Sequence, residues 1–178
     1  MANGNFGASR AVLLLLSGLP GTGKTTFARA LAEMLDFEHV ESDAIRRELE
    51  PHPTYSHWES AAVFARVEGA AAKALKEGRH ALVDATNLTV RDRKRFVMLA
   101  GELGVRVIAV RVVAPEVVVR KRLLGPRDGH SQATFDVYTK MKGRAEGFAF
   151  PAVVVDTRFD LAPALGLVRA LVEDGRNG

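Results

Sequence analysis

Residues 11–25 read Ala11-Val12-Leu13-Leu14-Leu15-Leu16-Ser17-Gly18-Leu19-Pro20-Gly21-Thr22-Gly23-Lys24-Thr25, an apolar run passing without a break into a G-x-x-x-x-G-K-T motif. Beyond it Phe27, Ala30, Leu31, Met34 and Leu35 recur at helical spacing, which predicts an amphipathic helix over Lys24 to Leu35. Strand, Gly-rich loop and helix in this order form a phosphate-binding loop, and a merely structural turn would need neither Lys24 nor the hydroxyl beside it. The glycines let successive backbone N–H groups point inward at phosphate oxygens, and the helix N-terminus adds partial positive charge. Gly18, Gly21, Thr22, Gly23, Lys24, Thr25 and Thr26 are thus the candidate nucleotide-binding residues. Lys24 would reach the β- and γ-phosphates, and the Thr25 hydroxyl would ligate Mg²⁺.

Outward from this loop, the pattern alternates strands and helices. Strands are expected at 11–17, 38–41, 80–84, 105–113 and 152–155. Helices are expected at 44–49, 57–76, from Thr89 to about Leu103, from Pro115 to Leu124, across Phe135 to Ala145, and from Leu161 through Val172. Thr89-Val90-Arg91-Asp92 has capping-box form. Strands separated by helices imply right-handed crossovers and a parallel sheet covered on both faces. The fold class is therefore α/β: one three-layer phosphate-loop domain over 10–173, with about five parallel strands. Residues 1–9 and 174–178 read as flexible tails, and a lid is expected at about 120–133.

At 178 residues the chain suits a single domain. With no cysteine it has no disulfide, thiolate nucleophile or Cys-ligated zinc, which fits a reducing cytoplasm. The 25 Lys and Arg against 21 Asp and Glu give a formal charge of +4, which suits an anionic ligand; ATP alone accounts for that. Arg10 followed by an apolar run resembles the start of a secretory signal, but the run flows into the loop and has no small-residue cleavage site. No stretch reaches the roughly 20 apolar residues of a membrane span. The expectation is a cytoplasmic protein with no membrane contact and no evident obligate protein partner.

A phosphate loop says that a nucleoside triphosphate binds; other side chains decide what becomes of its phosphoryl group. Asp43 follows the second strand and is a candidate general base for an acceptor hydroxyl, or else Ser42 or Asp43 simply caps the next helix. Arg46 stands one turn later, where it can pair with Asp43 or touch the acceptor. Asp84 ends the third strand ahead of Ala85-Thr86-Asn87, a place suited to a second carboxylate for Mg²⁺; Asn87 either orients neighbours or ends the strand. Arg120, Arg122 and Arg127 cluster around Gly125-Pro126, where a cation could close over the triphosphate, with Arg127 as the closing residue and the other two as helpers. The five histidines show no metal-ligand spacing beside carboxylates. Tyr55 and Trp58 could stack on an acceptor base or serve as packing anchors. The run Arg91, Arg93, Lys94, Arg95 lies largely off the apolar face of its helix, either solvated or tracking a polynucleotide backbone.

Taken together, Gly18 to Thr25, Asp43 with Arg46, Asp84-Ala85-Thr86-Asn87-Leu88 and the later basic residues resemble the P-loop 5'-hydroxyl polynucleotide kinases and a broader group of small kinases, zeta-toxin and gluconate-kinase-like proteins among them. The resemblance covers about residues 11–145. It implies an ATP-dependent, Mg²⁺-assisted transfer of the γ-phosphoryl group to a hydroxyl, with Asp43 as base, Arg46 positioning the acceptor, Thr25 and Asp84 on the metal, and Arg127 in the lid. The acceptor it implies first is the 5' end of DNA or RNA; sugars, nucleosides, amino-sugar nucleotides and antibiotics serve relatives that share parts of the layout. A nucleotide-dependent switch without an acceptor is the alternative from another class, and it leaves Asp43 with Arg46 unexplained.

Overall fold

Strand β1, Val12–Ser17, is completely buried because it has strands on both edges and helices on both faces. The computed structural model describes residues 11–54, 56–125 and 133–174. The expected tails, apart from Asp174, lie outside the described residues, as do Tyr55, Arg127 and half of the expected lid, 126–132.

The elements follow in the order α1 (Lys24–Ala32), β2 (Glu38–Glu41), α2 (Ser42–Leu49), α3 (His57–Lys76), β3 (Ala81–Asp84), α4 (Val90–Glu102), β4 (Arg106–Val113), α5 (Glu116–Leu124), α6 (Phe135–Lys142), β5 (Val153–Asp156) and α7 (Ala162–Asp174). The five strands form one parallel sheet in the order β2-β3-β1-β4-β5, with Leu14 opposite Leu82 on one side and Ile108 on the other. Side chains alternate across a strand, so β1 feeds two cores at once. Leu13 and Leu15 pack with Val63, Val67 and Phe96 of α3 and α4, whereas Leu14 and Leu16 pack with Phe27, Leu31, Val168 and Val172 of α1 and α7. Each fully buried Leu contributes about 1.5–3 kcal/mol, so this strand anchors both layers of helices.

The sequence pattern extends two helices too far. Helix α1 ends at Ala32 rather than Leu35, and the chain turns there through bonds from the Met34 and Leu35 N–H groups to the Leu31 carbonyl. Leu35 stays buried in that turn while Met34 is exposed, so an apolar period outlived the helix that it seemed to mark. Likewise α6 stops at Lys142, with Gly143 as its cap and Ala145 in the exposed segment beyond. The capping box forms as expected: the Thr89 hydroxyl accepts from the Asp92 N–H, and the Asp92 carboxylate accepts from the Thr89 N–H.

Parallel strands bring all their carboxyl ends to one edge. The phosphate loop after β1, the first turn of α2 after β2, Asp84 at the end of β3, and the turn after β5 meet there, which is where open α/β sheets hold ligands.

Candidate active site

Two glycines show why the loop has its composition. Gly23 sits at φ +96, a left-handed conformation that side chains resist, and Gly18 lies so close to β4 that a Cβ would come 2.4 Å from the Val112 carbonyl oxygen. The loop is held from two directions. On the β3 side, the Gly18 N–H donates to the Thr86 carbonyl at 3.0 Å, the Ser17 hydroxyl to the Asn87 carbonyl at 3.0 Å, and the buried Asn87 amide to the Leu16 carbonyl at 2.7 Å. Asn87 itself is at φ +44. Of the two readings open for this residue, the structure gives the first, since it orients the turn against β1.

On the opposite side Arg122 of α5 donates to the Gly21 and Thr22 carbonyls, both at 3.3 Å, and to the Thr157 hydroxyl at 2.8 Å. The Thr157 hydroxyl in turn donates to the Thr22 carbonyl at 2.7 Å. Arg122, expected as a helper of the closing arginine, thus holds the outer rim of the loop by its carbonyls. Its companion Arg120 lies 5.2 Å over the ring of Phe135. Thr157 escaped the sequence reading, although its place just after a strand's carboxyl end was a usable signal.

Inside the loop Lys24 donates to the Leu19 carbonyl at 3.2 Å. Burial pushes its ammonium below the ordinary lysine range, while the negative charges of Asp84 and Asp43 act to raise it. Both carboxylates singled out in the sequence therefore stand within electrostatic reach of the loop lysine. The Thr25 hydroxyl donates to Asp84 Oδ2 at 2.8 Å, and Asp84 is almost fully buried. A hydroxyl and a carboxylate oxygen side by side are the hard oxygen donors that Mg²⁺ takes alongside phosphate and water, so these residues fit the ion. Among the described residues no group of three or more His, Cys, Asp or Glu side chains could hold a metal. His39 of β2 places Nε2 3.2 Å from the same Asp84 oxygen, a contact that depends on the β2–β3 pairing and that no sequence spacing announced.

Asp43 stands in the first turn of α2, half-buried, while Glu41 occupies the N-cap without a side-chain capping bond. Neither Ser42 nor Asp43 is the cap that the bland reading required. Arg46 corrects another expectation, for it is buried and pairs with Glu59 of α3 instead of with Asp43. Burial acts to raise the Glu59 carboxyl, but hydrogen bonds from Thr54 and Arg46 outweigh it and hold the group below the usual carboxylate range. This staple fixes α2, and with it Asp43, against α3.

The basic run on α4 also departs from expectation. Arg93 is only 1% exposed, donating to the carbonyls of Asn87 (3.0 Å), Leu88 (2.8 Å), Glu146 (3.2 Å) and Gly147, with its guanidinium 4.3 Å over the Phe148 ring. Arg95 stacks over Phe64. Two of the four residues are thus engaged in packing, Arg93 because the segment after α6 lies over the start of α4 and Arg95 because α3 lies alongside. Trp58, at 83% exposed, is no packing anchor.

Three solved structures share this fold. The Mycobacterium tuberculosis APS kinase in complex with AMPPNP and APS is 16% identical, with a TM-score of 0.69 over 92% of this chain and 98% of that one. A gluconokinase from Sinorhizobium meliloti is 18% identical, with a TM-score of 0.68 over 93% of each chain. A chain of the Pnkp1/Rnl/Hen1 complex is 26% identical, with a TM-score of 0.58 over 71% of this chain and 44% of that one. Among curated sequences, an uncharacterized Mycobacterium tuberculosis protein is 28% identical over 144 residues, which are 74% of this chain; the chain spans 29% of that relative's length. The model of the family described as AAA domain matches residues 13–148. With its three-layer fold and its phosphate loop in the kinase-like setting, the chain belongs to this AAA domain family of P-loop proteins.

Proposed function

We propose that the protein is an ATP-dependent, Mg²⁺-assisted phosphotransferase that moves the γ-phosphoryl group of ATP to an acceptor hydroxyl in a cytoplasmic setting. The observation that carries this reading is the meeting of Lys24, Thr25, Asp84 and Asp43 at one edge of the sheet, donor side and acceptor side together. The loop amides and Lys24 hold the triphosphate. Mg²⁺, with Thr25 and Asp84 as its protein donors, would neutralise charge on the β- and γ-oxygens. Asp43 takes the acceptor proton as the acceptor oxygen attacks the γ-phosphorus. A new O–P bond forms, the bond from phosphorus to the β–γ bridging oxygen breaks, and ADP leaves with the electron pair. Arg46, held by Glu59, lines the acceptor side, and Arg127 supplies the closing cation.

The order of the motifs supports a polynucleotide 5'-hydroxyl as acceptor. The engagement of Arg93 and Arg95 in packing removes half of the basic track such an acceptor would use, and this favours a compact hydroxyl compound instead.

Transfer of labelled γ-phosphate to 5'-hydroxyl DNA and RNA oligonucleotides, beside nucleosides, sugars and aminoglycosides, tests both. Asp43→Asn should lower kcat about 10²- to 10⁴-fold and leave ATP affinity nearly intact. Strong residual transfer would remove Asp43 from the base role, and release of free phosphate alone would turn the assignment toward a switch.

A further inference from the structure

A cavity of about 290 Å³ opens beside the first residues of the phosphate loop, near the lower end of the roughly 300–1,000 Å³ typical of small-molecule sites. Gly18 and Leu19 form one wall, Leu88 and Phe148 another, and Tyr138 of α6 a third. Its walls are preformed. Gly18 is bonded to Thr86, Phe148 lies under the Arg93 guanidinium, and the Glu146 N–H donates to the Leu88 carbonyl at 3.0 Å.

The charges around the cavity divide into engaged and available. Arg93 spends its donors on four backbone carbonyls, Lys142 pairs with Glu116 at 2.7 Å, and the Glu146 carboxylate accepts the Val90 N–H at 2.5 Å. The Arg111 guanidinium remains, with no hydrogen bond or ion pair to another described residue. Its position is unusual, because β4 is an interior strand, with Ser17 opposite Arg111 on β1 and Val154 on β5. Flanking Val110 and Val112 are completely buried on the other face, whereas Arg111 is exposed where it lines the cavity. Burial lowers the Arg93 pKa, the Glu146 and Asp92 carboxylates act to raise it, and the positive charge of Arg111 acts, more weakly than either, to lower it, so the two guanidiniums lie within electrostatic reach of each other. With the Arg93 donors spent on carbonyls, an anion in the cavity meets Arg111, and the apolar walls strengthen the attraction by excluding water.

We propose that this cavity holds the oxyanion end of the acceptor, a compact hydroxyl compound bearing one phosphate or carboxylate, with the oxyanion on Arg111 and the hydroxyl directed past Leu19, whose carbonyl takes the Lys24 ammonium, toward Asp43. The assignment rests on the phosphotransfer reading above. One unengaged cation in one small cavity matches one anionic group, whereas a polynucleotide would present several phosphates in a row.

The test uses the full chain with ATP and Mg²⁺, following ADP release with two matched pairs, ribose 5-phosphate against ribose and gluconate against glucose, and with a 5'-hydroxyl oligonucleotide. Direct calorimetric titration of ribose 5-phosphate and gluconate runs alongside. At least one oxyanion compound should exceed its neutral partner about 10-fold or more in kcat/KM. Arg111→Gln should erase that preference by raising KM about 10- to 100-fold, the range of a lost charge-assisted hydrogen bond, with kcat and ATP affinity nearly unchanged. Arg111→Lys should recover part of it. Equal use of charged and neutral partners, indifference to Arg111→Gln, or an oligonucleotide used better than every compact compound overturns the assignment. If nothing is phosphorylated, the phosphotransfer reading fails and titration decides the cavity: binding lost in Arg111→Gln upholds the oxyanion site, and no binding overturns it.

Discussion

Arg93→Met tests the most consequential disagreement between the sequence pattern and the fold. The substitution keeps a long apolar stem and removes the guanidinium from beneath four carbonyls and a ring. Two of the carbonyls keep a donor, since the Ser17 hydroxyl also serves Asn87 and the Glu146 N–H also serves Leu88. The Glu146 and Gly147 carbonyls lose theirs. Those residues are exposed, so water reaches them and each loss costs about 1 kcal/mol, the low end for an unsatisfied acceptor. The stacking on Phe148 adds about 1 kcal/mol, giving about 3 kcal/mol in all. For a chain of this length 1 kcal/mol moves Tm by about 2–4 °C, so thermal unfolding followed by circular dichroism should show a drop of about 6–12 °C. Arg93→Lys, which keeps charge and some donors, should fall about midway and serves if the methionine variant does not fold. A shift under about 2 °C in both variants would mean that Arg93 is the solvated residue its helical position advertised, and the coupling of the segment after α6 to the phosphate loop would be refuted.

Further outcomes follow from the same geometry. Gly18→Ala places a methyl 2.4 Å from the Val112 carbonyl and must push the loop away from β4, so ATP affinity measured by titration should fall at least about 10-fold; unchanged affinity would show that the contact relaxes freely. Arg122→Met releases two loop carbonyls and should raise KM for ATP about 10-fold with little change in kcat; a selective fall in kcat would instead place Arg122 on the transferred phosphate. Glu59 titrates lower in the folded chain than in the unfolded one, so the stability from its staple with Arg46 is present above the unfolded value of about 4.3 and is lost as pH falls through the lower folded value. Urea unfolding from pH 7 to 3 should therefore show an acid limb that Glu59→Gln flattens; an identical limb in both would mean that the staple contributes nothing.

The phosphate loop and the alternation of strands and helices were legible because they are local facts. A G-x-x-x-x-G-K-T run after an apolar strand has few other uses, and β1 is apolar from Val12 to Leu16 because both its faces are covered. The candidate carboxylates were legible for a related reason: in a parallel sheet the residue after a strand's carboxyl end falls at the site whatever lies between. Helix ends were less legible, since the burial of Leu35 persists through a turn and a period in the sequence reports burial rather than hydrogen bonding.

Pairing belonged to the tertiary structure alone. Arg46 is one helical turn from Asp43, yet it meets Glu59 because α3 packs against α2. His39 reaches Asp84 only because β2 pairs with β3, and Arg93 is buried only because the segment after α6 closes over α4. Sequence by itself marked the candidate nucleotide side, where the continuous segment Gly18 to Thr25 supplies the loop amides, the lysine and the hydroxyl, and Asp84 joins them from the end of β3. The acceptor side was decided by packing, because its residues come from separate elements whose meeting depends on which faces the cores draw together.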